Sequence, residues 1–268
     1  MTKAVVHTRI KKVTAAGITD TEDILAAEEP LEIRLIHGPT HNRRQQNIAV
    51  TMRTPGQDKE LATGFLFTEG IIPQVADIHH ITLSDTTNGS VATVFLKEQA
   101  IPSLDHSQRN FQATAACGLC GKSSITDIHT GVAVNSGKNR PHFPAELLYP
   151  LPQQLREQQA VFRHTGGLHA AALINQEGQI VLLHEDIGRH NAVDKIIGAA
   201  LEQRLPLHES LLLLSGRAGF ELIQKAAMAA IPVVAAIGAP SGMAVKMAAA
   251  WNITLIGFLK EERFNIYT

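Results

Sequence analysis

The amino-acid sequence predicts an α/β protein with a parallel sheet near its C-terminus. Three short apolar segments, 211–214, 231–237 and 253–258, have the length and composition of strands that are covered on both faces. Two segments with apolar residues at helical spacing separate them. Strands that alternate with helices pair in parallel through right-handed crossovers, so these segments predict an α/β unit.

The N-terminal part of the sequence predicts strands and one helix. Alternating or apolar runs indicate strands at 31–36, 47–53, 78–83 and 91–96, the last two joined by a turn at Asn88-Gly89. Asp58 is the predicted cap of a helix that carries Leu61, Phe65 and Leu66 at helical spacing and ends near Gly70.

A hairpin and a helix are predicted before the parallel strands. Residues 169–174 and 179–184 flank turn residues at 176–178, and apolar residues recur at helical spacing from about Arg189 to Leu201. A polar segment with proline, 135–144, separates these elements from the cysteine segment. We therefore predict a mixed α+β region, 1–140, and an α/β cofactor-binding region, 141–268. Both regions are also compatible with one continuous fold.

Composition and charge limit the partners. The chain has 268 residues and a formal charge of −1, from 24 Lys and Arg against 25 Asp and Glu. Such a balance provides no long-range attraction to nucleic acid or an anionic membrane, so neither is an expected partner. The uncharged stretch 226–245 is long enough to span a bilayer, but its prolines and glycines predict a helix, a strand and a loop instead. The N-terminus is too polar for a secretory signal, and the cysteine usage fits a reducing compartment, so we predict a cytoplasmic protein.

Cys117 and Cys120 are the only cysteines, and both lie in one Cys-Gly-Leu-Cys-Gly-Lys segment. The two glycines leave backbone amides accessible and Lys122 adds a positive charge, which together favour the reactive thiolate. Three hypotheses fit: half of a structural zinc site, a dithiol redox centre, or a sulfur carrier that holds sulfur as a persulfide. The spacing alone does not separate them.

Two glycine-bearing loops follow the predicted parallel strands. They are 215–219 and 238–242, and ligands of such sheets bind beyond the carboxyl ends of the strands. Amides at helix N-termini can hold an anion there, and the Arg217 guanidinium suits phosphate or carboxylate. Ser215, Gly216 and Arg217 are therefore candidate ligand contacts, although ordinary strand-to-helix turns also use such residues.

A dense polar run, 185–195, surrounds the start of the helix at Arg189. His190 and Asp194 are one helical turn apart, so we expect them to pair. Such a pair is either structural, which we favour slightly, or a proton-handling site. The segment 165–169 before the hairpin offers exposed backbone beside His169, or simply a tight turn.

An ordered set of motifs resembles the formate dehydrogenase accessory sulfurtransferase (FdhD) family. The set runs from about residue 28 to the C-terminus and comprises 28–33, 51–56, 61–72, 117–122, 165–171, 185–195, 215–217 and 263–268. Each motif is weak alone, and the ordered set is highly specific. The resemblance implies a cytidine-deaminase-like α/β sandwich with a smaller added α+β subdomain, usually in a homodimer.

The same resemblance implies a function and its residues. Family members take persulfide sulfur from a cysteine desulfurase and transfer it to the molybdenum bis(guanine dinucleotide) cofactor, which then supports formate dehydrogenase. On this sequence, Cys117 would carry the persulfide and Cys120 would assist. The family's cofactor-binding stretch corresponds to Phe258, Leu259, Lys260, Glu261, Glu262 and Arg263, which is less glycine-rich here. Arg217 and Arg263 would hold the phosphates of the guanine nucleotide, while the two glutamates would repel them unless they point away.

Two alternative functions are carried beside this one. A molybdenum cofactor chaperone would bind and deliver the cofactor without moving sulfur. A zinc-dependent deaminase-like hydrolase would need His-x-Glu and Pro-Cys-x-x-Cys, whereas Ala116 precedes Cys117 and no His-x-Glu lies upstream. We predict no metal ligands.

Overall fold

The computed structural model describes residues 4–104 and 141–268, which contain twelve strands and seven α-helices. The strands are β1 Val5–Thr14, β2 Gly17–Ala26, β3 Glu29–His37, β4 Arg44–Arg53, β5 Ile78–Thr86, β6 Gly89–Leu96, β7 His169–Ile174, β8 Ile180–Asp186, β9 Leu211–Leu214, β10 Val233–Ala236, β11 Thr254–Lys260 and β12 Arg263–Ile266. The helices are α1 Asp58–Thr68, α2 Ala145–Leu148, α3 Leu151–Gln158, α4 Phe162–Thr165, α5 Arg189–Glu202, α6 Phe220–Met228 and α7 Gly242–Ala250.

The larger sheet has six strands in the order β12-β11-β10-β9-β7-β8. β9, β10 and β11 are parallel, as the alternation of strands and helices predicts. β7 is antiparallel to both β8 and β9, and β12 is antiparallel to β11. Consequently β8 runs in the same direction as the three parallel strands.

Both faces of this sheet are covered. Leu212 and Leu214 of β9 face one core, which also contains apolar side chains of α5, α6 and α7. Leu211 and Leu213 face the opposite core, together with side chains of α2 and α3. The alternation places every side chain of this short strand in an apolar layer, so the predicted strand covered on both faces is confirmed.

The second sheet has four strands in the order β4-β3-β6-β5 and packs against α1. Leu31, Ile33 and Leu35 alternate along β3 and are fully buried against that helix. β3 pairs with β4 antiparallel and with β6 in parallel. All four strands belong to residues 4–104 and all strands of the larger sheet to 141–268, and α1 packs directly on α5. The protein is thus mixed α/β, whereas the cytidine-deaminase-like arrangement stays a prediction.

Two glycines allow the close contact between α1 and α5. A Cβ atom on Gly64 would overlap the carbonyl oxygen of Asp194, and one on Gly198 would overlap that of Glu60. The Gly198 Cβ would also lie 2.9 Å from the Gly64 amide nitrogen. Each helix therefore presents bare backbone to the other.

A two-stranded ribbon, β1 and β2, was not predicted. The two strands pair antiparallel from Val5↔Ala26 to Thr14↔Gly17, and neither belongs to the other two sheets. Most of their side chains are exposed, including Val13 at 71 %. Because no face of the ribbon is covered along its length, the sequence lacks the alternation that marks half-buried strands.

Other predicted elements are confirmed, with changes at their ends. The stretch 226–245 forms the end of α6, β10 and the start of α7, and no helix in the described part is long and apolar enough to cross a bilayer. Asp58 does not cap α1: Gln57 is the cap residue, and Asp58 in the first turn pairs with Arg53. The short edge strand β12 and helices α2 to α4 were not predicted.

Candidate functional site

Strand directions bring the candidate motifs to one edge of the six-stranded sheet. The carboxyl ends of β8, β9, β10 and β11 share this edge, and so do the amino ends of β7 and β12. The ends carry His169, the polar run 185–195, both glycine-bearing loops and the segment 258–263. We call this the ligand edge, because ligands of parallel sheets bind at such ends.

The two predicted ligand loops lie against each other. The Gly238 amide donates to the Gly216 carbonyl at 3.0 Å, and the Ser241 amide donates to the Ala218 carbonyl at 2.9 Å. A Cβ on Gly238 would lie 2.9 Å from the Gly216 carbonyl oxygen, so the approach requires glycine. Ser241 caps α7 by accepting a hydrogen bond from the Ala244 amide.

Ser215, Gly216 and Arg217 have different roles at this edge. The Ser215 hydroxyl accepts a hydrogen bond from the Ala170 amide at 2.8 Å, so it ties the loop to β7. Gly216 is partly exposed, and Arg217 is exposed. Of these three residues, Arg217 is the one that offers an exposed, charged side chain to a ligand.

The segment 258–263 forms the end of β11, a turn and the start of β12. The Phe258 amide donates to the Gly238 carbonyl at 3.1 Å, which joins this segment to the second loop. Phe258 is 43 % exposed and has a φ of 53°, the left-handed region that side chains rarely adopt. Leu259 is 0 % exposed and belongs to the core, so it is not accessible for the ligand contact predicted for it. The remaining four predicted contacts, Lys260, Glu261, Glu262 and Arg263, are exposed.

Most of the polar run 185–195 is structural. The Lys195 ammonium lies 2.8 Å from the Asp186 carboxylate and also donates to the carbonyls of Thr54 and Glu185. Asp186 accepts further hydrogen bonds from the amides of Thr54 and Gly188 and from the side chain of Asn191. This buried network fastens the end of β4 to the turn between β8 and α5.

The predicted pair of His190 and Asp194 is wrong. Asp194 instead lies 3.0 Å from the buried Lys225 ammonium and accepts a hydrogen bond from the Thr68 hydroxyl at 2.8 Å. Lys225 also contacts Glu69 at 3.0 Å. Burial lowers the pKa of Lys225, but the Asp194 and Glu69 carboxylates raise it by more, so the ammonium stays charged.

His190 faces the first turn of α6. Its Nε2 lies 3.6 Å from the Glu221 carboxylate, and the residue is 8 % exposed. Burial raises the pKa of Glu221, but hydrogen bonds and the charges of His190 and Arg189 lower it by more, so the net pKa lies below its ordinary value. Sequence spacing within α5 did not indicate this partner, which lies on another helix.

Cys117 and Cys120 lie outside the described residues, so their predicted roles stay predictions. Within 4–104 and 141–268, no group of three or more His, Cys, Asp or Glu side chains is arranged to hold a metal ion. In this part of the chain, the ligand edge presents basic side chains, histidines, several carboxylates and helix N-termini.

Comparison with known proteins covers nearly the whole chain. The FdhD/NarQ family model matches residues 26–268. Proteins named "Sulfur carrier protein FdhD" from Mycolicibacterium paratuberculosis and Streptomyces coelicolor are 46 % and 43 % identical over 97 % of this chain, covering 95 % and 92 % of their own lengths. The archaeal protein of that name from Sulfolobus acidocaldarius is 38 % identical over 97 % of this chain and 95 % of its own.

The fold also has a counterpart among solved structures. A crystal structure of a protein assigned as a formate dehydrogenase accessory protein from Desulfotalea psychrophila matches with a TM-score of 0.74. The match covers 99 % of this chain and 97 % of that one, at 21 % sequence identity. At this identity the likeness describes the fold alone.

Proposed function

The chain belongs to the FdhD/NarQ family, and we propose that it is a sulfur carrier that loads the molybdenum bis(guanine dinucleotide) cofactor for formate dehydrogenase. The observation that carries the proposal is its likeness, across almost its full length, to proteins named as sulfur carriers. The single Cys-x-x-Cys supports the proposal, because a carrier needs one reactive thiol with a second beside it.

In the proposed first step, the Cys117 thiolate attacks the terminal sulfur of a cysteine desulfurase persulfide. The bond between the two desulfurase sulfurs breaks, and the desulfurase cysteine leaves as a thiolate. Cys117 then carries the persulfide. The glycine amides and Lys122 beside it stabilise the thiolate that makes this attack.

Sulfur release involves Cys120 in this proposal. Its thiolate attacks Sγ of Cys117, forming a disulfide between the two cysteines and releasing the outer sulfur as hydrosulfide with its electron pair. A cellular dithiol reductant then restores both thiols. The cofactor is the substrate that accepts the sulfur, and its nucleotide portions would lie over the two loops and the 258–263 segment, where Arg217 and Arg263 are exposed.

The proposal extends to assembly, fold and location. A homodimer in the cytoplasm, with a cytidine-deaminase-like sandwich, follows from the family resemblance. The six-stranded sheet with helices on both faces supports the fold. The near-neutral charge of −1 supports partners other than nucleic acid or membrane.

Loading of Cys117 is the test of the proposal. After incubation with a cysteine desulfurase and cysteine, intact-protein mass spectrometry should show one added sulfur atom, which Cys117→Ala abolishes and Cys120→Ala retains. Formate dehydrogenase activation should be lost with Cys117→Ala. A cofactor chaperone that moves no sulfur would keep activating the enzyme with this variant, and absence of the adduct on the wild-type protein would refute the carrier role.

A further inference from the structure

The four-stranded sheet has one face that α1 does not cover. Leu31, Ile33 and Leu35 of β3 face α1. Side chains alternate along a strand, so Glu32 and Arg34 between them face the other way. Residues paired across neighbouring strands lie on the same side of a sheet, so the pairings extend this second face over all four strands. We call it the outer face, and it includes Glu32, Arg34, Val50, Met52, Thr93 and Phe95.

The outer face carries neighbouring apolar side chains. Val50 and Met52 are two residues apart on the edge strand β4, and they are 44 % and 43 % exposed. Phe95 of β6 is partly buried, and its ring stacks on the His80 imidazole with the ring centroids 4.3 Å apart. A sheet face that stays in water carries mainly polar residues. Adjacent apolar side chains on this face are therefore typical of a surface that another protein covers.

An ion pair lies near the centre of the outer face. Arg34 donates to the Glu32 carboxylate through Nε at 2.7 Å and through Nη2 at 2.9 Å. Both residues lie in the middle of β3, one of the two inner strands of the sheet. A guanidinium has five N–H donors, so it can bind a second carboxylate beside the one that it already holds. The pair can thus take part in a larger charge network.

The order of charges along β3 makes the outer face self-complementary. In a twofold dimer, residue i of one copy contacts residue j of the other, and j contacts i. Consider a twofold axis that lies between two such sheets and crosses β3 at a right angle, midway between Glu32 and Arg34. Each Arg34 then faces Glu32 of the other copy. A partner with a single sign of charge would instead meet one like charge on this face.

The size of the face fits a small, reversible interface. Four strands about 4.8 Å apart span about 19 Å, and residues 30–36 of β3 extend about 23 Å. Two copies would therefore cover on the order of 900 Å² together, which is in the range of transient contacts and below that of obligate dimers. Such a dimer dissociates on dilution into folded monomers.

We propose that the outer face of the four-stranded sheet binds a second copy of this chain, with Arg34 and Glu32 paired across the twofold axis. The four side chains form one ring of alternating charge, so no charge is left unpaired when water is excluded from the face. This assigns a surface and two residues to the homodimer that the proposed function includes, and it is independent of the sulfur chemistry.

Sedimentation velocity of the full-length protein over a range of concentrations tests the proposal. The wild type should show a monomer–dimer equilibrium. Arg34→Glu and Glu32→Arg each place like charges opposite one another at both contacts, so each should weaken dimerisation by about a hundredfold or more. The control Lys11→Glu reverses an exposed cation of the β1–β2 ribbon, which pairs with Asp20, and should dimerise as the wild type does.

Mixing the two charge-reversal variants gives a sharper result. Arg34→Glu has two acidic residues on this face and Glu32→Arg has two basic ones, so every contact between one variant and the other joins opposite charges. An equal mixture should form a heterodimer with nearly the wild-type affinity. The double variant, with both substitutions in one chain, should associate with itself. Either rescue also shows that the single variants are folded.

Three results would overturn the proposal. They are a wild type that stays monomeric at the highest concentration, single variants that dimerise as well as the wild type, and single variants that stay monomeric when mixed. Loss of the dimer with Lys11→Glu alone would place the interface on the ribbon, which contradicts the proposal as well. Sulfur loading of Cys117, measured on the same samples, separates the two proposals: absence of loading in a wild-type dimer refutes the carrier role and leaves the interface standing.

Discussion

Gly64 of α1 and Gly198 of α5 meet where the two helices cross, with backbone against backbone. A methyl group on either would enter space held by the other helix, since the Cβ positions overlap the carbonyl oxygens of Asp194 and Glu60. This crossing joins the four-stranded sheet and its helix to the six-stranded sheet. The short distance between α1 and α5 sets the positions of the α5 polar side chains relative to both sheets.

Gly198→Ala should destabilise the protein by about 2 kcal/mol or more. Alanine favours a helix by about 1 kcal/mol over glycine, but the clash of Cβ with α1 costs more. Denaturant unfolding of wild type and variant measures the difference. Gly242→Ala is the matched control, because nothing lies within 4 Å of its Cβ position, and it should be neutral or stabilising. Equal stabilities of both variants would refute the crossing.

Lys225→Met should lower the free energy of unfolding by about 3 kcal/mol or more. The variant leaves the Asp194 carboxylate buried with only the Thr68 hydroxyl, and a buried charge without its partner is strongly destabilising. The double variant with Asp194→Leu should recover part of the loss, since no charge is then stranded. Lys246→Met, an exposed site on α7, should change stability by less than about 0.5 kcal/mol.

Stability should fall as the pH is lowered from about 7.5 to about 5.5. Burial lowers the pKa of His184. The charge of Glu60 raises this pKa and that of Lys195 lowers it, and the net pKa lies below its ordinary value. Below an unfolded pKa of about 6.5, the unfolded chain therefore binds a proton that the folded chain does not, which favours unfolding. Chemical denaturation at several pH values should give a shallower decline for His184→Gln. His164→Gln removes an exposed imidazole and should keep the wild-type slope.

Phe258→Gly should be more stable than Phe258→Ala by about 1 kcal/mol. Position 258 has a φ of 53°, where glycine avoids the cost that a Cβ imposes. Thermal unfolding measures the stability of the two variants. Both lack the aromatic ring, so the difference between them reports the backbone alone. If alanine is as stable as glycine, the backbone at this position is not strained, and the aromatic ring has another reason to be there.

The periodicity of the sequence was sufficient for the larger sheet except its edge strand β12. Leu211 to Leu214 and the apolar residues of α5 appear in the structure as expected. A strand buried on both faces is wholly apolar, and the apolar residues of α5 recur at helical spacing. The antiparallel pairing of β7 with β9 and the edge strand β12 were not predicted, because strand pairing depends on residues that are distant in the sequence. Long-range register has no signature within a single short strand.

The same limit applied to the candidate site. Loops 215–219 and 238–242 could be placed at one edge, because the ends of parallel strands lie together. The partner of His190 could not be found, since Glu221 is on another helix and the nearer Asp194 belongs to Lys225. Spacing within one helix shows which residues are neighbours on its surface, and tertiary packing decides which of them interact.

The glycine crossing has a consequence for biosynthesis. During translation α1 leaves the ribosome long before α5 exists, so its bare face, with Thr68 and Glu69 beyond it, remains without the partners that Asp194 and Lys225 later provide. The N-terminal segment cannot complete its own packing while the rest is still being made. A premature stop before α5 would yield a fragment that chaperones and proteases treat as unfinished.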